Sequence, residues 1–168
     1  MDLLITLETY SLQSNAAVAQ ITTTLFDFES GEMEDPYVDN INPNTENDLH
    51  FDVNTIEWWN KQEPYKQSAI FNNPRALLDV INGIKSYIAD YNVRNIWCNT
   101  SFDAPIIMNL FNYCGIDGIN MYKFKDINTL LYMANIPMYK KEHYWKKDIA
   151  SILELMYKSY NKIKDGVI

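Results

Sequence analysis

The sequence contains little glycine, proline or cysteine, and each shortage excludes a class of protein. Five glycines and six prolines in 168 residues are too few for a fibrous or linker-rich chain. The two cysteines, Cys98 and Cys114, lie in apolar segments, which favours free thiols in a reducing compartment. No stretch approaches the roughly 20 apolar residues of a membrane span, and the N-terminal segment lacks the basic region of a signal peptide. We therefore predict a single cytoplasmic domain over residues 1–168.

Basic residues are also in the minority. Lys and Arg number 14 against 22 Asp and Glu, which gives a net charge of -8. This charge argues against a broad basic surface that binds nucleic acid non-specifically. It is compatible with a metal-dependent nuclease, because such an enzyme gathers carboxylates at its centre and holds its substrate through cations. Acidic residues dominate the first half, whereas lysines gather between Lys123 and Lys164.

Apolar residues make up 47% of the chain and are arranged with the periods of strands and helices. The predicted strands cover residues 3–9, 17–28, 33–40 and 95–99. The predicted helices start at Ile56, capped by Asn54 or Thr55, and at Pro74, and further helices cover residues 103–113, 126–133 and 147–164. Strands gathered first, with helices around them, predict a mixed sheet in an α/β architecture.

Two carboxylates stand where a buried strand meets a polar segment. Thr6 and Glu8 share one face of the first strand, because side chains alternate along a strand. An acid in such a strand is costly to bury unless it is paired or binds a metal, and the alternative is that Glu8 points to water. Asp103 follows the strand Trp97–Asn99 and opens a helix, so it is either an ordinary first-turn acid or a metal ligand.

A third candidate is the pair His143 and Asp148. If the last helix starts between them, the two side chains can flank one site. Histidine is a usable general base near neutral pH. The alternative interpretation is a partly exposed histidine followed by an ordinary acid at a helix start.

Taken in order, these segments resemble the DEDDh 3'-5' exonucleases, a group that includes RNase T, proofreading subunits of DNA polymerases and oligoribonuclease. The resemblance is greatest to phage-type exonuclease VIII, phage exonuclease A and small 3'-5' exoribonuclease-like domains. It covers nearly the whole chain. The matching segments are Thr6-Leu7-Glu8-Thr9, Asn15-Ala16-Ala17-Val18, Thr55-Ile56-Glu57-Trp58-Trp59, Trp97-Cys98-Asn99 through Ser101-Phe102-Asp103, Asp126-Ile127-Asn128-Thr129, and His143 to Asp148.

The resemblance implies an RNase H-like fold, with a mixed central sheet, an antiparallel meander of the first three strands and flanking helices. It implies a two-metal site for Mg²⁺ or Mn²⁺, with Glu8, Asp103 and Asp148 as ligands and His143 as the base. It further implies that single-stranded RNA or DNA 3' ends, or nucleotides, are bound by Thr9, Trp58, Trp59, Asn99 and Phe102. Adjacent helical residues point about 100° apart, so one tryptophan can be core while the other lines a groove.

The sequence departs from the family at four places. Thr6 stands where the family has its first, metal-bridging aspartate, and Asn128 replaces an arginine. Trp145, two residues after the histidine, is bulky enough to tilt that histidine or narrow the site. Lys146 and Lys147 flank Asp148 and could partly neutralise the site in place of metal.

Three interpretations remain open. The chain is a nuclease with weakened metal binding, an inactive relative that binds a nucleotide, nucleic acid or a protein partner, or a variant in which Thr6 was introduced to trap substrate. A monomer and a homodimer are both compatible with the sequence. Its richness in Asn, Lys, Tyr and Ile suits an A/T-rich genome such as that of a phage, for which the compartment is the host cytoplasm.

Overall fold

The computed structural model describes residues 1–166, and a five-stranded mixed sheet lies at their centre. The strands are β1 (Asp2–Thr9), β2 (Val18–Phe26), β3 (Tyr37–Asn40), β4 (Ile96–Cys98) and β5 (Phe124–Asp126). Their order across the sheet is β3-β2-β1-β4-β5. β1, β2 and β3 pair antiparallel, while β4 runs parallel to both β1 and β5. This arrangement confirms the predicted mixed sheet with an antiparallel meander.

Six α-helices surround this sheet within the described residues. They are α1 (Val53–Asn60), α2 (Pro64–Phe71), α3 (Leu77–Asp90), α4 (Asp103–Tyr113), α5 (Ile127–Met133) and α6 (Trp145–Lys164). No helix within residues 1–166 is long and apolar enough to cross a membrane. Both cysteines carry free thiols, as expected.

Some predicted helix boundaries were wrong, because capping and tertiary contacts decide them. α1 begins at Val53, since the side chain of Asp52, rather than Asn54 or Thr55, accepts the N–H of Thr55 at 2.8 Å. α3 does not begin at Pro74, because Arg75 is held extended by a hydrogen bond from its N–H to the Asn40 carbonyl, 2.8 Å long. The first residue of each of these two helices therefore depends on which group forms a hydrogen bond with the backbone there.

Short elements were also missed or overextended. α2 was not predicted, although Pro64 stands at its first turn. β5 has only three residues, too few to show a strand period. The third strand is shorter than predicted, since Met33 forms only an isolated bridge with Phe26 before pairing resumes at Tyr37.

The alternation of side chains along β1 divides the core into two layers. Leu3, Ile5 and Leu7 pack on one face with residues of α3 and α4. Leu4 packs on the opposite face with residues of α5 and α6. Thr6 and Glu8 share the face of Leu4. Thr6 and Glu8 therefore lie on the side of the sheet that α6 covers.

Glu46 carries a fully buried carboxyl on another part of the chain. Its Oε1 accepts the N–H of Val18 at 2.9 Å, and its Oε2 has no hydrogen-bond partner among the described residues. Burial raises the pKa of Glu46 to about 8, although the Val18 N–H opposes the rise. Because an uncharged carboxyl loses less solvation on burial, the folded protein holds Glu46 protonated near neutral pH.

We expect this carboxyl to make stability fall as the pH rises. In the unfolded chain the proton leaves near the ordinary pKa of 4.5, whereas the folded chain keeps it up to about 8. Between these values the unfolded state binds fewer protons, so raising the pH lowers the free energy of unfolding, by at most about 1.4 kcal/mol per pH unit. The Glu46→Gln variant, neutral at every pH, should lack this decline. Melting temperatures of both proteins between about pH 5 and about pH 8 provide the measurement, and parallel curves would contradict it.

Candidate active-site cavity

A cavity of about 840 Å³ lies where the end of β1, the start of α4 and helix α1 meet. Nearly all the side chains that the sequence pointed to line it. They are Thr6, Glu8, Thr9, Trp58, Trp59, Asn99, Phe102, Asp103 and His143. Asp148 is the exception and does not line the cavity. The family motifs thus meet at one place, although they are distributed along most of the chain.

Glu8 is buried at the wall of this cavity and is held by two partners. Its Oε1 lies 3.0 Å from the ammonium of Lys141, and its Oε2 lies 3.0 Å from Nδ1 of His143. Burial raises the pKa of the Glu8 carboxyl, but Lys141 and His143 outweigh that effect and hold the pKa below its ordinary value. The alternative that Glu8 points to water is therefore wrong, and its buried charge is compensated by ion pairing.

Thr6 lies on the same strand face as Glu8 and lines the same cavity. It is half-buried and supplies a neutral hydroxyl. Asp2, the other carboxylate on this face, is far along β1, where it accepts hydrogen bonds from the side chains of Asn95 and Trp97. No aspartate of β1 therefore takes the place that Thr6 leaves neutral.

Asp103 opens α4 at the wall of the cavity and is buried. Its Oδ2 accepts the N–H of Asn99 at 2.9 Å. Burial raises the pKa of Asp103 to about 6, although the Lys141 ammonium and the Asn99 N–H act to lower it. The turn between β4 and α4 is fixed by Asp126, whose carboxylate accepts the N–H and the hydroxyl of Thr100. Asp103 is thus a positioned cavity carboxyl and more than a first-turn acid.

Asp148 has a different role from the one expected of a metal ligand. It is buried in the first turn of α6 and binds the preceding segment, residues 139–144, here called the 139–144 loop. Its Oδ1 accepts the Glu142 N–H at 2.8 Å and the Tyr139 hydroxyl, and its Oδ2 accepts the Tyr144 N–H at 2.9 Å. The structure therefore does not bring Asp148 to the cavity with Glu8 and Asp103. Instead Asp148 organises the loop that carries Lys141 and His143.

His143 lies between Glu8 and the tryptophan pair. Its backbone has a φ of 57°, and its ring packs edge-on against Trp58 and Trp59, with centroids 4.7 and 5.9 Å away. Trp59 is buried and its Nε1–H donates to the Thr9 carbonyl at 2.9 Å, while Trp58 is 39% exposed. One tryptophan is therefore core and the other is partly open at the cavity, as the adjacent positions predicted.

Of the other departures noted in the sequence, Asn128 lines the cavity, whereas Trp145, Lys146 and Lys147 do not. Trp145 packs against Tyr144 and does not line the cavity, so it does not narrow the site. The ring that packs edge-on against His143 is that of Trp58. Lys147 pairs with Glu142 at 2.9 Å, and Lys146 lies over the Trp145 ring. The lysine that neutralises the site is Lys141, which the sequence interpretation missed. Its signal was the lysine-rich run around His143.

The side chains of this cavity do not fit a pair of divalent metal ions. Both oxygens of Glu8 and both oxygens of Asp148 are already engaged, and Thr6 contributes no charge. Among residues 1–166 no group of three or more His, Cys, Asp or Glu side chains is placed to share a metal ion. Mg²⁺ binds oxygen ligands at about 2.0–2.1 Å, and an ammonium beside the same carboxylate competes for it. The two-metal site that the resemblance implies is therefore not assembled by these residues.

Comparison with known proteins points to one family. The sequence model of the 3'-5' exoribonuclease Rv2179c-like domain matches residues 1–152. No protein with a curated description matches the sequence.

Solved structures give a consistent result for the fold. The nuclease domain of 3'hExo, described as a DEDDh family member bound to rAMP, is 10% identical with a TM-score of 0.62, over 98% of this chain and 92% of that one. A product-bound exonuclease I is 12% identical with a TM-score of 0.66, over 97% of this chain and 43% of that one. E. coli exonuclease I in complex with a dT13 oligonucleotide is 15% identical with a TM-score of 0.58, over 83% and 32%. The chain spans less than half the length of the exonuclease I structures, and these identities bear on the fold alone.

Proposed function

The chain belongs to the 3'-5' exoribonuclease Rv2179c-like family and has the RNase H-like fold of the DEDDh exonucleases, and on that basis we propose that its cavity binds the 3' end of single-stranded nucleic acid but hydrolyses it weakly or not at all. The observation that carries this proposal is the Lys141 ammonium, 3.0 Å from Glu8 beside a neutral Thr6. The family's reaction requires carboxylates that hold divalent metal ions, and here those charges are compensated from within the chain.

The walls of the cavity support nucleic acid as the ligand. Trp58 and Phe102 offer aromatic surface, and the Asn99 side chain offers an amide at the same cavity. Thr9 also lines the cavity, but its hydroxyl already donates to the Ser11 carbonyl at 2.6 Å. Stacking on aromatic side chains binds single strands without regard to sequence, at about 1–3 kcal/mol per base. The solved structures of similar fold include exonuclease I in complex with oligonucleotides and 3'hExo bound to rAMP. These complexes belong to those proteins, and they support the same class of ligand here.

A second candidate function is residual 3'-5' exonuclease activity with Mg²⁺ or Mn²⁺. The observation that favours it is the contact between Glu8 and Nδ1 of His143, 3.0 Å long. This contact holds the imidazole ring in one orientation, as a general base requires. Glu8 would then have to be released from Lys141 before it could bind metal. We therefore expect such activity to be far below that of a relative with the aspartate.

The test is to measure binding and cleavage in the same samples. The wild-type protein is incubated with single-stranded RNA or DNA labelled at the 5' end, in EDTA or in Mn²⁺. We expect similar binding by fluorescence anisotropy in both conditions and little shortening of the strand on a gel. Rapid shortening in Mn²⁺ would favour the second candidate. The absence of binding to either strand would contradict the proposal and leave a protein partner as the remaining class of ligand.

A further inference from the structure

Lys141 is the feature of the cavity that the family relationship does not explain. Among the described residues that line the cavity it is the only lysine or arginine, and it faces the carboxylates Glu8 and Asp103. Its ammonium donates to the Leu7 carbonyl and lies 3.0 Å from Glu8 Oε1. The ammonium of Lys141 thus contacts β1 at the position where the carboxylates of the family would bind metal ions.

The loop that carries Lys141 is tied down on both sides. Asp148 accepts two of its backbone N–H groups, at 2.8 and 2.9 Å. From the other side, the ammonium of Lys66 in α2 donates to the Glu142 carbonyl at 2.6 Å. These contacts hold the backbone that directly follows Lys141, and the Tyr139 hydroxyl, which precedes it, also donates to Asp148, so the ammonium is presented from a fixed loop. Asp148 is thereby a positioning residue for the lysine.

We propose that Lys141 is a built-in cation that replaces a divalent metal ion in this cavity, so that the cavity accepts a nucleotide phosphate without metal. The exclusion of metal follows from the contacts of Glu8 alone. The nucleotide part of the inference rests on the function proposed above.

The chemistry of the ammonium supports a phosphate ligand. A lysine ammonium has three N–H donors, and two of them are assigned here, to Leu7 and Glu8. The Lys141 side chain is 31% exposed at the cavity wall, which leaves the third donor for an anion. Lysine binds phosphate as a point charge. One ammonium can therefore compensate Glu8 and contact a phosphodiester at the same time.

The claim that Lys141 excludes metal is tested on the protein without nucleic acid, by electron paramagnetic resonance of Mn²⁺. The signal of free Mn²⁺ in solution decreases when the ion binds to the protein. The samples are wild type, Lys141→Ala, Lys140→Ala as the matched exposed control, and Glu8→Gln/Lys141→Ala. We expect wild type and Lys140→Ala to bind Mn²⁺ no better than the double variant. Lys141→Ala should bind it at least about tenfold more tightly, because Glu8 loses its ion pair and Asp103 loses a nearby positive charge.

Two results would overturn the metal part. One is tight Mn²⁺ binding by the wild type that is lost in Glu8→Gln. The other is a folded Lys141→Ala protein that gains no affinity over wild type. The wild-type titration decides the first point even if the variant does not fold.

The phosphate part is tested with a fluorescein-labelled single-stranded oligonucleotide in EDTA. We expect Lys141→Ala to bind it about tenfold more weakly, a loss of roughly 1.4 kcal/mol, while Lys141→Arg and Lys140→Ala bind like the wild type. Equal binding by Lys141→Ala and wild type would overturn this part. If no protein binds the oligonucleotide, the proposed function and the phosphate part fail together, and the Mn²⁺ titration still judges the role of Lys141.

Discussion

Hydrolysis of a single-stranded oligonucleotide in Mn²⁺ is expected to rise at least about 100-fold in the Thr6→Asp/Lys141→Ala double variant, which corresponds to about 2.7 kcal/mol of barrier. The first substitution restores the carboxylate that the family has at the end of β1. The second removes the ammonium that lies 3.0 Å from Glu8. Together they place a third carboxylate beside Glu8 and Asp103 and remove the ammonium that competes with divalent ions for Glu8. Initial rates of product release from a 5'-labelled strand give the measurement.

The single variants separate the two causes. Thr6→Asp alone should gain less than about tenfold, because the new carboxylate shares the cavity with Lys141 and pairs with its ammonium. Thr6→Asn/Lys141→Ala has nearly the same shape as the double variant without the charge, and it should stay near the wild-type rate. A full gain from Thr6→Asp alone would show that Lys141 does not obstruct metal binding. It would contradict the role that we assign to this lysine.

The largest loss of stability is expected from Trp59→Ala, at about 3–5 kcal/mol. The Trp59 ring is 2% exposed and belongs to the main core, and its Nε1–H donates to the Thr9 carbonyl at 2.9 Å. Removal of the ring leaves a void beneath β1 and an unpaired carbonyl. Urea unfolding followed by circular dichroism gives the free energy. Trp59→Phe keeps much of the ring volume but cannot donate the hydrogen bond to the Thr9 carbonyl. The loss of that hydrogen bond should lower the free energy of unfolding by only about 1 kcal/mol, in addition to the cost of repacking.

Trp58 provides the matched control, because it is the adjacent residue and is 39% exposed at the cavity. Trp58→Ala should lose less than about 1 kcal/mol of stability. Its affinity for a single-stranded oligonucleotide should fall about tenfold, since base stacking on one aromatic ring contributes about 1–3 kcal/mol. If Trp58→Ala destabilised the fold as much as Trp59→Ala does, the division of the pair into core and cavity residues would be wrong.

The site residues that the sequence could predict are those fixed by local structure. Glu8 lies on a strand whose alternation is visible in Leu3, Ile5 and Leu7. Asp103 follows a buried strand and opens a helix, so its place depends on a turn of a few residues. Thr6 shares the face of Glu8 by the same alternation. α6 starts at Trp145 rather than at the predicted Lys147, but its start still lies between His143 and Asp148 as the prediction required.

Lys141 and Asp148 could not be assigned in this way, because their roles depend on the path of the 139–144 loop. The sequence places two adjacent lysine pairs and several single lysines near the end of the chain, and nothing local distinguishes Lys141 from Lys146 or Lys147. Lys147 instead pairs with Glu142 in solvent. Asp148 lies where the family has a metal ligand, yet its carboxylate is used by backbone N–H groups of the loop. Motif position predicted its place but not its partners.

The central claim is that the Lys141 ammonium neutralises the carboxylates of the cavity in place of metal ions. Its most direct test is a crystal structure of the wild-type protein, from crystals grown in Mn²⁺, with anomalous diffraction recorded for manganese. The expected result is an ammonium of Lys141 within hydrogen-bonding distance of Glu8 and no anomalous peak between Glu8 and Asp103. Two manganese peaks about 4 Å apart, with Lys141 displaced from Glu8, would contradict it.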